Sequence, residues 1–243
     1  MIAAPLYAEY LPASCLAAHV ACYWVYRSET LQGLNRPVVP DGCMDLLLDF
    51  SNEGAVRCEV VGAMTRPHMS LRTHLWGVRF KPGMMRPLLK SPASELTDLL
   101  VESGSVSGAE VHTLWYRVME SDAPEDAVAH LNAFLMAPLC GQDRDPRLNH
   151  AIHMLEEGLS VSHIGSQMGL SRQHLGRICR DYTGLTPKTL GQILRFQNAL
   201  ALQETCIFSL SDLAQSAGYF DQAHMNREFV RFTGHTPASF FAL

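Results

Sequence analysis

Cysteine and histidine side chains near the amino terminus have a spacing that metal ligands use. Cys15, His19 and Cys22 lie at i, i+4 and i+7, which on a helix would align three soft ligands on one face. The run at 23–26 predicts instead a strand that begins around Cys22, and a strand breaks this alignment. Buried thiols are therefore favoured, and no metal or other cofactor is predicted. The alternative is a metal- or redox-responsive regulator that uses Cys15, Cys22, Cys43 and Cys58.

Three aspartates could supply acid and base groups to an enzyme. Asp41 belongs to a Pro-Asp-Gly turn, where its side chain can bond the local backbone. Alternation along residues 44–50 places Asp45 and Asp49 on one strand face, where they could pair with Arg79 or bind a cationic effector. The chain has no nucleophile with a matching base, no phosphate loop and no zinc-protease signature. An enzyme is therefore not predicted as the main function, and an enzyme joined to a binding module is left as a third possibility.

After metal binding and acid–base catalysis, the third possible function is the binding of a polyanion. The net charge is −5, but residues 1–142 hold ten basic and fifteen acidic residues, whereas 143–243 hold nine of each. Within 171–195, Asp181 is outnumbered by five basic residues, Arg172, Arg177, Arg180, Lys188 and Arg195. Phosphate contacts respond to local charge, so this stretch suits a DNA-facing surface.

An internal repeat predicts the elements that carry this basic stretch. Residues 161–170 match 210–219, and 183–187 match 233–237 at an offset of 50 residues. In each copy a short amphipathic helix ends near a glycine, and a polar residue, Ser171 or Asp221, caps a second helix. These are the parts of a helix-turn-helix. A helix from Thr186 to about Thr205 joins the copies and would span about 30 Å, close to one duplex turn of ~34 Å.

The amino-terminal part reads as a small sheet followed by helices. Short apolar runs at 22–26, 44–50, 59–61 and 75–80 are separated by turn residues, which indicates strands. Apolar spacing then predicts three helices, one with Leu96, Leu99 and Leu100, one at 111–118 and one at 128–135. A polar stretch, 138–146, indicates a linker. No apolar run approaches the ~20 residues of a membrane span, and a cytoplasmic protein without membrane contact is expected.

The carboxy-terminal hundred residues resemble the DNA-binding domain of the AraC/XylS family of bacterial transcription regulators. The matching segments are Gly169-Leu170-Ser171, the Thr-Gly-x-Thr-Pro runs at 183–187 and 233–237, and residues 218–229. The family pattern is broken at Cys179, Leu190, Met225, Val230 and Phe241. Val230 replaces a basic residue, which removes a phosphate contact and predicts a lower affinity.

The amino-terminal half resembles, more loosely, the sensory domains of one branch of these regulators. The similar segments are 40–46 and 77–83, the second like the closing strand of a small cupin-like barrel. The resemblance implies an α+β protein with an effector-sensing or dimerisation domain (1–137), a linker (138–145) and an all-α domain of two helix-turn-helix units (146–243). It also implies an activator or repressor with duplex DNA, a small-molecule effector, RNA polymerase and a second copy of the chain as partners.

The second helix of each unit is expected to place its exposed side chains in the major groove. Gln173 could recognise adenine and Arg177 guanine, whereas Lys188 suits a phosphate. The predicted DNA-binding residues are Arg172, Gln173, Arg177, Arg180, Lys188, Gln222, His224, Asn226 and Arg227. An effector pocket is expected among Trp24, Cys43, Asp45, Trp76 and Arg79.

Overall fold

The amino-terminal part of the chain forms a six-stranded antiparallel sheet. The computed structural model describes residues 6–28, 37–52, 57–106, 111–142, 145–205 and 209–242, so residues 143 and 144 of the predicted linker lie outside the described residues. The strands are β1 (Leu6–Tyr10), β2 (Val20–Arg27), β3 (Met44–Asp49), β4 (Arg57–Val61), β5 (His74–Phe80) and β6 (Leu100–Glu102). Their order is β1-β2-β5-β3-β4-β6. Four strands match the predicted apolar runs, whereas β1 and β6 were not predicted.

The two faces of the sheet have different neighbours because successive side chains of a strand point to opposite sides. Tyr23, Val25 and Trp76 belong to the large core that continues into the helices. A smaller apolar cluster covers the other face and contains Cys22, Trp24, Tyr26, Leu47 and Leu75.

Ten α-helices follow the last strand in the described residues. They are α1 (Ser103–Val106), α2 (Val111–Met119), α3 (Pro124–Leu139), α4 (Pro146–Glu156), α5 (Val161–Met168), α6 (Arg172–Thr183), α7 (Pro187–Thr205), α8 (Leu210–Ser216), α9 (Gln222–Thr233) and α10 (Pro237–Phe240). Helices α2, α3 and α7 confirm three of the predicted helices, and α3 continues through Pro138 to Leu139. Among these helices, none is long and apolar enough to cross a membrane within the described residues.

The predicted helix around Leu96, Leu99 and Leu100 is wrong. A 3-10 turn covers Ala93–Glu95, and Leu100 begins β6. Leu100 pairs with Val61 of β4, so the sheet edge, a distant partner, overrides the local apolar spacing.

In both helix-turn-helix units, a capping side chain fixes the start of the second helix. Helix α5 ends at Gly169, which has φ 64°, and the Ser171 side chain accepts a hydrogen bond from the His174 amide at the start of α6. In the second unit Asp221 caps α9 by accepting from the His224 amide at 2.6 Å. These capped starts confirm the predicted boundaries of the two second helices.

The sheet part packs directly against the helical part. Gln197 on α7 donates from Nε2 to the Pro40 carbonyl at 2.6 Å. Thr97 donates from Oγ1 to the carbonyl of Gly184 at 2.7 Å, just beyond the end of α6. Arg86 lies 3.4 Å from Asp181. The first helix-turn-helix and the connecting helix therefore share a continuous core with the sheet part.

Candidate nucleic-acid interface

A concave groove of about 920 Å³ lies between the two helix-turn-helix units. Helices α6, α7 and α9 all contribute to its walls. It brings together five of the predicted DNA-binding residues, Arg172, Gln173, Arg180, Lys188 and His224. A concave surface with several cations between two helix-turn-helix units suits the binding of duplex DNA.

Helix α6 turns one polar stripe toward solvent. Arg172, Gln173, Arg177 and Arg180 are exposed, while Leu175, Ile178 and Cys179 are buried on the opposite side. At about 100° per residue, the four exposed side chains fall within about 140° of the helix circumference. Gly176 lies in the middle of the stripe and adds no side chain.

The exposed cations of the first unit are free of acidic partners. Among the residues that the structure describes, no carboxylate lies within salt-bridge distance of Arg172, Arg177, Arg180 or Lys188. Arg172 donates from Nη2 to the Ser162 hydroxyl at 3.1 Å, and this bond ties it to α5. Their uncompensated charge is available to phosphate groups.

Arg195 does not add to this charge, although its place in the sequence suggested that it would. Its Nη2 lies 2.9 Å from Oε1 of Glu228, and its guanidinium stacks 4.9 Å from the centre of the Tyr219 ring. Gln192 donates to the same Glu228 oxygen at 2.9 Å. These contacts fix α9 to α7.

Sequence reasoning missed the role of Glu228, which is only 4% exposed. A signal for it was present, since Met225, Glu228, Phe229 and Phe232 follow the i, i+3, i+4, i+7 pattern of a buried helix face. An acidic residue on such a face needs a buried cation. The sequence did not show that Arg195, on another helix, would be that cation.

The predicted DNA-binding residues of α9 differ in position and in exposure. His224 lines the groove, but its Nε2 lies 3.4 Å from Glu228 and its ring packs edge-on against Tyr219. Gln222 and Arg227 are exposed, whereas Asn226 is half-buried. Gln222, Asn226 and Arg227 do not line the groove.

Arg177 faces a second cleft of about 610 Å³ on the flank of α6. Arg147 and His174 line the same cleft, and Arg147 Nη1 lies 3.3 Å from His174 Nε2. Arg147 also forms a hydrogen-bonded ion pair with Asp145, which lowers the pKa of that carboxyl. Arg177 therefore lies on the flank of α6 outside the groove, in a cleft where Asp145 compensates the charge of Arg147.

A separate charged cluster lies on the sheet face that carries Trp24. Arg79 Nε is 3.2 Å from Asp41 and 3.6 Å from Asp45, and its Nη1 is 3.8 Å from Glu9. Burial raises the pKa of Asp45 to about 7, although Arg79 favours the charged form. Burial also raises the pKa of Cys43. Four residues of the expected effector pocket, Trp24, Cys43, Asp45 and Arg79, thus belong to one cluster.

Trp76 does not belong to this cluster, which corrects the expected pocket. It pairs with Val25 and Leu48, so it lies on the helix-facing side, whereas Trp24 is opposite Gly77 on the other side. Its ring stacks on Tyr10 at 5.9 Å, and it lines a small cleft of about 130 Å³. None of the other four expected residues lines that cleft.

The four cysteines of the alternative hypothesis do not converge. Cys22 lies on the face with Trp24, Cys58 is in the core on the opposite face, and Cys15 is exposed. Within the described residues, no group of three or more histidine, cysteine or acidic side chains could hold a metal ion. His19, which is buried, contacts the Gln142 carbonyl instead, at 2.5 Å from Nε2.

Two family models match the chain. Residues 8–102 match a domain of unknown function (DUF6597), and residues 164–242 match a helix-turn-helix domain. The chain is 35% identical over 88 residues to the probable transcription factor PqrA of Proteus vulgaris, a match that covers 35% of this chain and 69% of PqrA.

A second relative is the HTH-type transcriptional activator RhaS of Escherichia fergusonii. The two are 34% identical over 100 residues, which is 40% of this chain but only 36% of RhaS. Among solved structures, ToxT from Vibrio cholerae aligns with 90% of this chain and 97% of its own, at 12% identity and a TM-score of 0.49. The helix-turn-helix match, the coverage of PqrA and the paired units described above show that the chain belongs to the AraC/XylS family of helix-turn-helix transcription regulators.

Proposed function

We propose that the chain is an effector-responsive, sequence-specific transcription regulator that reads two successive major grooves. In this proposal residues 146–243 bind DNA, residues 1–137 sense the effector, and 138–145 connect them. The main support is the groove between α6 and α9, where three cations, Arg172, Arg180 and Lys188, have no acidic partner in the described residues. Contact with RNA polymerase and a homodimer through the amino-terminal part stay predictions.

The length of α7 supports the two-groove mode. Its 19 residues span about 28 Å at 1.5 Å per residue, near the repeat of the duplex. The buried Glu228 and Arg195 pair fixes α9 on α7. Leu190 and Ile193 of α7 are fully buried in the core that also contains Leu175 of α6. Both recognition helices are thus held on a single rigid element.

Roles differ along the surface. Gln173 and Gln222 are exposed near the starts of their helices, where side chains meet base edges. Arg177 is exposed one turn further and is assigned to a guanine. Lys188 lies in the first turn of α7 and is assigned to a phosphate.

The effector is proposed to act through the turn at residues 40–43. Asp41 of this turn is ion-paired with Arg79 on the sheet face. On its other side the turn meets α7, where the Pro40 carbonyl accepts from Gln197 and a Cβ at Gly42 would lie 3.2 Å from Leu190. A small polar effector that competes for Arg79 would release Asp41 and shift the turn against the helix that holds both readers.

The test compares Arg177→Ala with Lys188→Ala in the full chain. The preferred duplex is first selected from a random pool, and affinities are then measured for it and for each single-base variant. Arg177→Ala should weaken the preferred duplex by ~1–3 kcal/mol and relax preference at one base position. Lys188→Ala should weaken all duplexes alike and reduce the salt slope by about one.

Two controls make the outcome decisive. Footprinting of the wild-type complex should protect two segments about one helical turn apart. Protection of a single segment would contradict the two-groove mode, and an equal loss on every duplex with Arg177→Ala would contradict its assignment to a base.

A further inference from the structure

Two surface thiols from distant parts of the chain meet beside the end of α3. Cys15 lies in a 3-10 turn, Ser14–Leu16, and Cys140 follows the last residue of α3. Both are exposed, whereas Cys22, Cys58 and Cys179 are buried. The Cys140 Sγ lies 3.8 Å from the Cys15 carbonyl oxygen across a separation of 125 residues. The neighbouring Cys15 thiol raises the pKa of Cys140.

The two backbone segments are already held together on both sides of this thiol pair. Before Cys15, the Ala13 amide donates to Asn132 Oδ1 of α3 at 2.9 Å, and the Tyr23 hydroxyl donates to the same oxygen at 2.9 Å. After Cys15, His19 Nε2 contacts the Gln142 carbonyl at 2.5 Å. The contacts thus flank both cysteines and hold the two segments side by side.

We propose that Cys15 and Cys140 form a redox-active dithiol that closes to an intramolecular disulfide in the presence of a disulfide oxidant such as oxidised glutathione. One cysteine thiolate attacks the glutathione disulfide, which forms a mixed disulfide and releases one glutathione thiolate. The second cysteine then displaces the other glutathione. The two cysteines lose two electrons and two protons, and one oxidised glutathione becomes two reduced molecules.

The exposure of Cys15 and Cys140 and the contact between them favour thiol–disulfide exchange. An oxidant can reach both exposed sulfurs from solvent, and the contact of the Cys140 Sγ with the Cys15 backbone brings the second thiol near the mixed disulfide. Three of the other cysteines, Cys22, Cys58 and Cys179, serve as internal references because they lie in the core. Closure would tie the start of β2 to the end of α3, directly before the connection to the helical part.

The test is a redox titration of the full chain. The protein is equilibrated with mixtures of reduced and oxidised glutathione, free thiols are alkylated, and the digested protein is mapped by mass spectrometry. A peptide that links Cys15 to Cys140 should appear as the mixture becomes oxidising. Because Cys140 reacts as the thiolate and its pKa is raised, closure should be faster at pH 9 than at pH 7.

Single variants distinguish this bond from alternatives. Cys15→Ser and Cys140→Ser should each abolish the linked peptide and leave a glutathione adduct on the remaining cysteine. A disulfide enclosing so long a loop should raise the midpoint of thermal unfolding in the oxidised wild type by several degrees, on the order of 5–10 °C, and in neither variant.

The proposal is overturned if wild-type protein in fully oxidising buffer yields no linked peptide, or only bonds between two chains. It is also overturned if the cysteines of the core react before Cys15 and Cys140. It does not rest on the DNA-binding proposal, so either can fail without the other.

Discussion

Asp45 is a carboxyl group that the sheet holds away from water. Burial raises its pKa to about 7 in the folded protein, whereas an ordinary aspartate has a pKa of about 3.9 in an unfolded chain. Between about pH 4 and pH 7 the unfolded state therefore loses this proton first. The free energy of unfolding that Asp45 contributes falls as the pH rises through this window.

Asp45→Asn should remove this part of the pH dependence. Urea unfolding of wild type and variant at pH 5, 6 and 7 gives the two slopes, and other titrating groups cancel in their difference. The wild-type free energy of unfolding should fall more steeply, by up to about 1.4 kcal/mol per pH unit. Equal slopes would mean that Asp45 titrates alike in the folded and unfolded states.

At the scale of elements, the helical part could be predicted well because its signals are local. The caps Ser171 and Asp221 and the glycine at 169 lie within a few residues of the helix ends that they define. The exposed face of α6 follows from the same register. The contacts that could not be predicted are those between residues distant in the sequence.

Three particular errors have this origin. Leu100 joins a sheet edge through Val61, Trp76 points away from Trp24 because of strand register, and Arg195 is neutralised by Glu228 across two helices. Apolar spacing within a window of residues does not specify any of these partners.

The ion pair between Glu228 and Arg195 should be the main polar support of the second unit. Glu228→Gln leaves the buried guanidinium without its charge partner, so the free energy of unfolding should fall by about 2 kcal/mol. The value is below the range for fully buried pairs because Arg195 keeps 23% side-chain exposure. Urea unfolding of wild type and Glu228→Gln measures this loss of free energy of unfolding.

A matched control is available at the C-cap of α4. Glu157 also faces a basic partner at i−4, His153 at 3.3 Å, but both side chains are more than half exposed. Glu157→Gln should therefore change the free energy of unfolding by less than about 0.5 kcal/mol. If the two variants are equally stable, Glu228 is not a structural anchor.

The glycines that end α6 and α9 provide a second pair of matched substitutions. Gly184 has φ 76° and Gly234 has φ 79°, so alanine at either position adopts a left-handed backbone that costs about 1–2 kcal/mol. A Cβ at Gly184 would also lie 2.9 Å from Thr97 Oγ1 and 3.0 Å from the Ala93 carbonyl oxygen, whereas a Cβ at Gly234 meets nothing within 4 Å.

Gly184→Ala should therefore lower the free energy of unfolding by at least about 1 kcal/mol more than Gly234→Ala. The extra loss reports the contact between α6 and the sheet part, because the backbone strain is the same in both variants. Hydrogen exchange around residues 93–97 should increase in Gly184→Ala alone. An equal loss of stability in the two variants would show that this contact adjusts freely.

At the scale of the whole molecule, net charge and binding surface are separated. The chain carries a net charge of −5, yet three cations that line its groove, Arg172, Arg180 and Lys188, have no acidic partner in the described residues. The acidic excess lies in residues 1–142. At a Debye length of about 8 Å in physiological salt, acidic groups on the far side of the sheet are screened from a duplex in the groove.

Because the acidic excess and the groove cations lie in different parts of the chain, we expect a result that the net charge alone would not predict. Arg180→Ala and Arg117→Ala each remove one positive charge, but Arg180 lines the groove whereas Arg117 is exposed on α2. The affinity of the full chain for duplex DNA is measured from 50 to 200 mM salt. Arg180→Ala should reduce the slope of log affinity against log salt by about 0.9, the value for one lost phosphate contact, and Arg117→Ala should leave it unchanged. If both variants change the slope equally, DNA responds to the overall charge of the protein, and the groove is not the surface that holds the duplex.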